Sequence, residues 1–583
     1  MASLPEALAL ALQHHQSGRM GAAGQLYRRI LALAPDHADA VHLMALVIRR
    51  SAGREAVAAD LMRRALRLEP AMAAAHHNLG NLLRDGGRAG DAAASLRRAI
   101  ALVPESVEAY QSLAMVGVAG GADPAGLHRR MIQLRPAWPE AHNGLANGHQ
   151  EGGRLQDAVA AYRRALALDP AMSTAWSNIG IALRALGRME ETLAAHTRAV
   201  RLAPSFAPAL TSLGLTLNDL GRSEEAARCH RRAVAIDPAF PGAICNLGTA
   251  RLALNGVDDA IRCYRRAVRV EPQGADGHRN LGMALLVGGE LGEGWNEYEW
   301  RLRCKDAPTQ GEIPRPRWNG EPLNGRTILL HSEQGLGDAI QFSRYAPLVA
   351  ARGGKVLLGT PASLAPLLRP IPGVADVVSG TLSLNSFDVQ VPLLSLPQVF
   401  GTTLDAVPAA VPYLHPQPGA VSGWAERLAD QRGLRIGIVW AGSPGHANDR
   451  NRSLPLGAFA PLARVPGVTL FSIQKGPTEG QAAAPPDGMR LVNLSPHISS
   501  FLDTAAIIAN LDLVVCVDTS VAHLAGAMGR PVWVLLPFAP DWRWLIDRED
   551  TPWYPTMRLF RQTRPGDWSD TLDRLTAAVA RLV

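Results

Sequence analysis

The sequence has few cysteines, few lysines and no long apolar run, and each scarcity excludes a class of protein. The five cysteines never form a C-x-x-C pair, so their spacing offers neither a structural zinc site nor a disulfide framework. No run of 18 apolar residues occurs, which excludes a transmembrane helix, and the first residues carry no basic segment typical of a signal peptide. We therefore expect a cytoplasmic protein.

Basic charge is present almost only as arginine. The net charge is +7, and the lysines are Lys305, Lys355 and Lys475 alone. Arginine pairs recur once per repeat, in the positions Arg63-Arg64, Arg97-Arg98, Arg163-Arg164 and Arg265-Arg266. This recurrence places them on one solvated helix face, so a nucleic-acid partner is not expected. A chain of 583 residues exceeds the size of one hydrophobic core, so two or more domains are predicted.

Prolines recur with a period close to 34 residues through the first half of the chain. They are Pro35, Pro70, Pro104, Pro136, Pro170, Pro204, Pro238 and Pro272. In the unit from Pro139 to Pro170, small residues at Ala146 and Ala158 let two helices approach closely, and Tyr162 fills the space beside them. Gly152-Gly153 opens the turn between the helices. Period and residue types together resemble the tetratricopeptide repeat, in about eight copies within residues 1–305.

Two repeats depart from this pattern. The unit before Pro136 has only 32 residues, with Gly120-Gly121 and Pro124 where a second helix should begin, so we expect a local distortion. A ninth unit contains large aromatics between Trp295 and Trp300 in place of small contact residues. Large aromatic residues at these positions favour a last repeat that docks on the next domain. The alternative is a degenerate last repeat that makes no such contact.

Four asparagines occupy the same position of their first helices and predict a ladder along the inner wall of the repeat array. They are Asn78, Asn178, Asn246 and Asn280. An amide both donates to and accepts from an extended peptide backbone, so the expected ligand is a polypeptide. Solvated polar residues on a helix face are the alternative.

After the repeats, a proline-rich linker over 306–323 leads into an α/β region of two lobes, 324–418 and 419–583. The predicted strands are 327–331, 355–359, 375–378, 388–391, 435–440, 468–473, 512–517 and 531–537. The predicted helices lie near 338–352, 361–368, 456–464, 500–510, 520–529 and 569–582. The alternation of strands and helices predicts parallel, Rossmann-like sheets that face a cleft, with ligand residues directly after strands.

The first candidate segment follows the strand 327–331. Gly335 and Gly337 let the backbone approach a ligand, and Asp338 projects into the cleft, unless it is simply a helix cap. The segment lacks the third glycine of the dinucleotide fingerprint, and the strand 355–359 has no acidic residue at its end. A nicotinamide cofactor is therefore not expected.

The second candidate segment is the polar loop after the strand 435–440. Guanidinium groups donate in a planar fork that suits diphosphate oxygens. Arg452 is the preferred candidate for this role and Arg450 the second, with a solvated loop as the alternative. Lys475, at the end of the next strand, is a further candidate cation.

The third candidate segment is Asp518-Thr519-Ser520 with His523, after the strand 512–517. Hydroxyls and backbone N–H groups at the start of a helix form an anion site suited to a phosphate. Purely structural caps at Asp518 and His523 are the alternative.

The three segments, in this order, resemble the sugar-nucleotide transferases related to the lipopolysaccharide heptosyltransferases. The fusion to repeats resembles bacterial relatives of O-GlcNAc transferase, and in O-GlcNAc transferase itself an equivalent asparagine ladder holds the acceptor polypeptide. The resemblance implies a glycosyltransferase-B fold, Asp338 as general base, and nucleotide-sugar contacts from Thr519, Ser520 and His523. It also implies a basic phosphate contact, where Arg452 stands in place of the usual lysine.

The sequence thus predicts an α plus α/β protein that transfers a sugar from a nucleotide diphosphate sugar to a polypeptide. No D-x-D motif follows a predicted strand, so neither a metal nor another cofactor is expected. The main alternative is an interaction scaffold whose α/β domain has kept the fold and lost transfer.

Overall fold

The computed structural model describes residues 3–51, 53–307, 313–380, 384–446 and 448–583. By compactness the chain divides into two units, Met1–Leu220 and Gly221–Val583. The described part of the first unit is helical. Its α-helices are α1 Leu4–Gln16, α2 Met20–Leu33, α3 Ala38–Arg49, α4 Glu55–Leu68, α5 Ala73–Asp85, α6 Ala89–Leu102, α7 Val107–Val116, α8 Pro124–Leu134, α9 Pro139–Glu151, α10 Leu155–Leu168, α11 Ser173–Ala185, α12 Met189–Leu202 and α13 Ala207–Asp219.

Successive helices pack as hairpins, and the repeated small and large residues explain the packing. Ala146, Ala158 and Tyr162 are fully buried between α9 and α10, as predicted. The tight turn between these helices needs a positive φ, which Gly153 supplies at 73°. In the next repeat, a Cβ at Gly180 would lie 2.3 Å from the ring of His196, so only glycine permits this approach.

The predicted distortion before Pro136 is confirmed. Helix α7 ends at Val116, a short 3₁₀ helix follows over Val118–Gly120, and α8 begins only at Pro124. Gly121 adopts the left-handed conformation that ends the 3₁₀ turn. The glycine pair therefore shortens both helices of this repeat.

The buried ring of His196 makes the first unit sensitive to acid. Its Nε2 donates to the carbonyl oxygen of Ser177 at 3.2 Å, and its Nδ1 lies 2.8 Å from the hydroxyl of Thr216. Burial lowers the pKa of His196 to about 4. In the unfolded chain the pKa of a histidine is about 6.5. Between about pH 4 and about pH 6.5, His196 is therefore protonated in the unfolded chain and neutral in the folded protein.

We expect the free energy of unfolding to fall by up to about 3 kcal/mol from this residue as the pH drops from 7 to 4. Urea denaturation followed by circular dichroism at several pH values measures this slope. His196→Gln, which keeps a polar side chain and does not protonate, should flatten it. An unchanged slope in the variant would contradict the assignment.

The second unit contains the last repeats and both sheets. Its helices are α14 Ser223–Ile236, α15 Pro241–Leu252, α16 Val257–Val270, α17 Ala275–Val287, α18 Leu291–Tyr298, α19 Leu336–Phe342, α20 Ala346–Ala350, α21 Ala365–Leu368, α22 Leu396–Val399, α23 Pro418–Arg427, α24 Asp449–Arg452, α25 Ala460–Ala463, α26 Phe501–Ala509, α27 Ser520–Ala527 and α28 Ser569–Ala580. Its strands are β1 Thr327–His331, β2 Lys355–Gly359, β3 Val374–Val378, β4 Val389–Pro392, β5 Leu434–Val439, β6 Val468–Ser472, β7 Leu491–Asn493, β8 Leu513–Val517, β9 Val532–Leu536 and β10 Met557–Arg561.

The two sheets are parallel throughout. The first lobe has the strand order β3-β2-β1-β4 and the second β10-β9-β8-β5-β6-β7, which is the doubly wound dinucleotide-fold order. The predicted α plus α/β fold is confirmed, and all eight predicted strands are present with ends within one residue. The short strand β7 and the last strand β10 were not predicted.

Three predicted helices are wrong in detail, and the one expected near 361–368 is helical only over Ala365–Leu368 (α21). The helix expected over 338–352 breaks into α19, a 3₁₀ turn over Ser343–Tyr345 and α20. Pro347 lies in the first turn of α20, where a missing N–H is tolerated but cannot continue a preceding helix. The helix expected over 456–464 divides in the same way before Pro461.

The last repeat packs against residues of both lobes, as its aromatic residues predicted. The indole N–H of Trp295 donates to the carbonyl oxygen of Thr402 at 3.0 Å. Its ring meets that of Trp542 edge-on at 5.3 Å, and that of Trp553 at 6.4 Å. Repeat and lobes thus share one hydrophobic core within the second unit.

Candidate functional site

A cleft of about 1310 Å³ lies at the carboxyl ends of strands from both sheets. In the second lobe, β5 and β8 are neighbouring strands. The chain continues from β5 to β6 on one side of this pair and from β8 to β9 on the other. Loops that follow two such strands diverge and leave a crevice, the usual ligand position in this topology. The loops after β5 and β8 carry two of the three predicted segments, and the loop after β1 brings the third.

The start of α27 carries an unsatisfied hydroxyl. Thr519 is the N-cap residue, in an extended conformation, and its side chain does not cap the helix. Its buried Oγ1 has no hydrogen-bond partner within the described residues. With Ser520 it lines the cleft at the point where the first N–H groups of the helix lack internal partners. Such a position is suited to an anionic ligand oxygen.

His523 lies one turn later and is held as a neutral ring. Its Nδ1 is 3.0 Å from the hydroxyl of Tyr554, and its ring stacks on Trp544 at 5.3 Å. Burial, aided by the charge of Arg543, lowers the pKa of His523 well below the usual range. A Cβ at Gly337 would lie 2.8 Å from this ring, so the glycine lets the first lobe close onto α27.

Arg452 lies in the cleft and Arg450 does not. The Nη1 of Arg452 donates to the carbonyl oxygen of Asp518 at 2.9 Å, which places its guanidinium beside the start of α27. A Cβ at Gly442 would lie 2.6 Å from its Nη2, so glycine makes room for the arginine. Arg450 is exposed on the same short helix, outside the cleft lining.

Two other predicted ligand residues differ in their surroundings. Burial, together with the negative charge of Asp541, raises the pKa of Asp518 to about 6. Lys475 lies at the cleft rim, where its Nζ pairs with Glu479 at 2.9 Å and donates to the carbonyl oxygen of Ser495 at 3.2 Å. Lys475 thus reaches the cleft only from its edge, with its side chain 44% exposed.

Asp338 is bound from both lobes. Its Oδ2 accepts the N–H of Gly335 at 2.9 Å, as a helix-capping carboxylate does, and its Oδ1 pairs with Arg543. Arg543 also pairs with Asp541 at 2.7 Å and donates from Nε to Gln341 at 3.0 Å. Burial lowers the pKa of the Arg543 guanidinium, but Asp338 and Asp541 outweigh burial and raise it.

Sequence reasoning missed Arg543, although a signal was available. The segment Asp541-Trp542-Arg543 begins four residues after the predicted strand 531–537, at the same sheet edge as the other candidates. The contact of Arg543 with Asp338, 205 residues away, is set only by the tertiary structure.

The last repeat supplies another wall of the cleft that sequence reasoning missed. Tyr298 and Arg301 line the cleft with Glu333, which follows β1. Arg301 is 4% exposed and pairs with Glu333 at 2.6 Å and with Glu299 at 2.7 Å. Burial raises the pKa of Glu333, although the charge of Arg301 opposes the change.

The four predicted ladder asparagines are all half-buried. In the first unit, Asn78 donates to the ring of His42 at 3.0 Å, and Asn178 to the side chain of Asn147 at 3.1 Å. Asn246 and Asn280 lie on α15 and α17 of the second unit. Contact with a polypeptide stays a prediction for all four.

Among the described residues, one group has metal-ligating atoms close together, and its surroundings do not favour a metal. The group is Asp276, Cys304 and Asp306, with these atoms within 4.8 Å of one another. Arg279 pairs with both aspartates, at 2.9 and 2.8 Å. Burial raises the pKa of Cys304 to about 11, so the thiol keeps its proton at neutral pH.

No described helix is long and apolar enough to cross a bilayer.

Comparison with known proteins agrees with both parts of the fold. Tetratricopeptide repeat families match residues 44–112, 143–205, 207–240 and 245–296. The family glycosyltransferase family 9 (heptosyltransferase) matches residues 466–536, which include β6, β8, the start of α27 and β9.

Two individual proteins are similar over part of the chain. Protein FlbA of Caulobacter vibrioides is 29% identical over 320 residues, which are 51% of this chain and 53% of FlbA, so the chain spans about half the length of this relative. A crystal structure of the MamA protein is 20% identical, with a TM-score of 0.26, over 30% of this chain and 96% of that one. Repeats and cleft together give one conclusion: the chain combines tetratricopeptide repeats with a domain that matches glycosyltransferase family 9 (heptosyltransferase).

Proposed function

We propose that this protein transfers a hexosyl or heptosyl group from a nucleoside diphosphate sugar to a hydroxyl of an acceptor polypeptide. The observation that carries the proposal is the unpartnered Thr519 hydroxyl at the start of α27, with Arg452 beside it. A buried hydroxyl without a partner costs free energy, and a phosphate oxygen satisfies it. The match of residues 466–536 to a glycosyltransferase family supports the same chemistry.

The proposed reaction is a single displacement with inversion. The acceptor oxygen attacks the anomeric carbon, the bond from this carbon to the diphosphate breaks, and the nucleoside diphosphate leaves with the electron pair. Asp338 takes the proton of the acceptor hydroxyl. Arg452 and the N-terminus of α27 stabilise the charge that develops on the leaving diphosphate. We propose that these groups make the transfer independent of a metal ion.

The acceptor is proposed to be a polypeptide because helical repeats precede the cleft and the last of them lines it. The half-buried asparagines on the first helices supply amides that donate to and accept from a backbone. The specificity for a particular sugar and nucleotide base depends on the shape of the cleft beyond these contacts.

The test is a thermal-shift and calorimetric screen of uridine, guanosine, adenosine and cytidine diphosphate sugars. A ligand that binds only the native state raises the melting temperature. Arg452→Met should weaken binding of the donor about 10- to 100-fold, because a hydrogen bond to a charged group contributes about 1.5–3 kcal/mol. Arg450→Met, on the same turn of helix, should leave the affinity unchanged.

Four outcomes would contradict parts of this proposal. No binding of any diphosphate sugar would contradict the donor site, and equal losses in both arginine variants would contradict the choice of Arg452. Binding without turnover on any acceptor would favour the scaffold interpretation. Inhibition by EDTA, reversed by a divalent metal, would contradict metal independence.

A further inference from the structure

The cleft is larger than one donor requires. Pockets for a single small ligand measure about 300–1,000 Å³, and this cleft measures about 1310 Å³. Thr519, Ser520 and Arg452 all lie on the second lobe, so the proposed donor occupies that side. The opposite wall includes residues of the last repeat and Glu333, to which the proposed donor contacts assign no role.

Glu333 is a charged residue of that wall. It lies two residues after β1, and its side chain is 5% exposed. Its Oε1 accepts two hydrogen bonds from Arg301, at 2.6 Å from Nη2 and 3.1 Å from Nε. Its Oε2 has no hydrogen-bond partner among the described residues, although the residue lines the cleft. A carboxylate oxygen without a donor, on a side chain that lines the cleft, is a strong acceptor for one.

Arg301 fixes the orientation of this carboxylate from the last repeat. It belongs to the 3₁₀ turn Glu299–Arg303 that ends the repeat. Its other contacts are Glu299 at 2.7 Å, the hydroxyl of Ser395 at 2.9 Å and the carbonyl oxygen of Tyr298 at 3.3 Å, and it lies over the ring of Tyr298 at 4.9 Å. A guanidinium held at this many points has little freedom, so the position of Glu333 depends on the docked repeat.

Tyr298 and Met283 line the same cleft as Glu333 and give that lining a mixed chemistry. The hydroxyl of Tyr298 accepts a hydrogen bond from Gln334 at 3.3 Å, and Met283 adds an apolar side chain to the lining. Glu333 and Asp338 both line the cleft and are five residues apart in the segment that follows β1. A group bound at Glu333 therefore lies in the same cleft as the proposed catalytic base.

We propose that Glu333, Tyr298 and Met283 form an acceptor subsite, in which Oε2 of Glu333 accepts a backbone N–H of the acceptor polypeptide next to the reacting hydroxyl. Arg301 is the positioning residue of this subsite. The inference rests on the proposed transferase function and names the place in the cleft where the polypeptide binds. It makes the last repeat part of the active site as well as a connection to the other repeats.

The test compares acceptor and donor kinetics in Glu333→Gln. Arginine only donates, so the oxygen of the introduced amide turns to Arg301 and its NH₂ replaces Oε2. The acceptor N–H then meets a donor. We expect kcat/KM for short peptides that carry one Ser or Thr to fall at least tenfold, with donor affinity and hydrolysis of the donor by water unchanged. Glu321→Gln, an exposed carboxylate outside the cleft lining, is the matched control.

A double-mutant cycle tests the role of Arg301. Arg301→Met should lower peptide transfer by itself and add little in the Glu333→Gln background, because it acts through that carboxylate. Arg303→Met, whose guanidinium lies over Trp300 outside the cleft lining, should behave as wild type. Because Arg301→Met can also unfold the repeat, the melting temperature of each variant is measured beside its kinetics.

The failure of this inference differs from the failure of the proposed function. Unchanged peptide transfer in Glu333→Gln, or a parallel loss of donor binding and hydrolysis, overturns the subsite. A wild-type protein that hydrolyses the donor but modifies no peptide also overturns it, while the donor site stands. A wild-type protein that binds no diphosphate sugar overturns the transferase proposal and this inference with it.

Discussion

Asp338→Asn is expected to lower kcat for sugar transfer by about 10²- to 10⁴-fold, the usual contribution of a general base. The amide keeps the size of the side chain and can still accept the N–H of Gly335, but it does not take a proton. Donor affinity should change little, because the proposed phosphate contacts come from Arg452 and Thr519. The measurement is a pH–rate profile of transfer with donor binding determined in parallel.

A control separates this effect from a general loss of charge on the first lobe. Asp376→Asn removes an exposed carboxylate that pairs with Arg369 at 3.5 Å, and it should retain wild-type kcat. Since Asp338→Asn also breaks the ion pair with Arg543, the melting temperature is needed to exclude unfolding. A well-folded Asp338→Asn variant with wild-type kcat would exclude Asp338 as the base.

The largest effect on stability is expected from Trp295→Ala. The indole is 2% exposed and packs against Trp542 and Trp553, and its N–H bonds to the carbonyl of Thr402. Removing a buried tryptophan costs about 3–5 kcal/mol, through lost contacts and the cavity that remains. Hydrogen exchange of amides in α18 and β1, with chemical denaturation, measures the change.

The same variant distinguishes docking from a degenerate repeat. If docking of the last repeat stabilises the lobes, protection should fall in β1 as well as in α18. Leu302→Ala, at a partly exposed position of the same segment, should cost less than about 0.5 kcal/mol. A loss confined to α18, or one below about 1 kcal/mol, would contradict a shared core.

The repeats were predictable because their contacts are local. The 34-residue period places Ala146, Ala158 and Tyr162 against one another within a single hairpin, so residue types alone indicate the packing. The strands were predictable for a similar reason, since a buried parallel strand is a short apolar run between turns. Two predicted helices are interrupted near a proline. Proline is tolerated in the first turn of a helix but not in its interior, and the sequence pattern did not show that a new helix begins there.

Only some of the residues that line the cleft were predictable from the sequence. Those that were missed make contacts with residues far from them along the chain. Asp338, Arg452 and Thr519 were found because topology places residues after strands at one sheet edge, and that rule needs no coordinates. The distinction between Arg450 and Arg452 needed the tertiary structure, because the residues lie two positions apart on one turn and only one lines the cleft.

Local patterns therefore specified the elements of this protein and the edge at which its chemistry lies. The tertiary structure decided which charges meet there: Arg543 with Asp338 across 205 residues, and Arg301 of the last repeat with Glu333 across 32. Such pairs have no periodic signature, because their free energy arises only when folding buries both charges together. The contribution of the repeats to the cleft wall appears for that reason only in the folded chain.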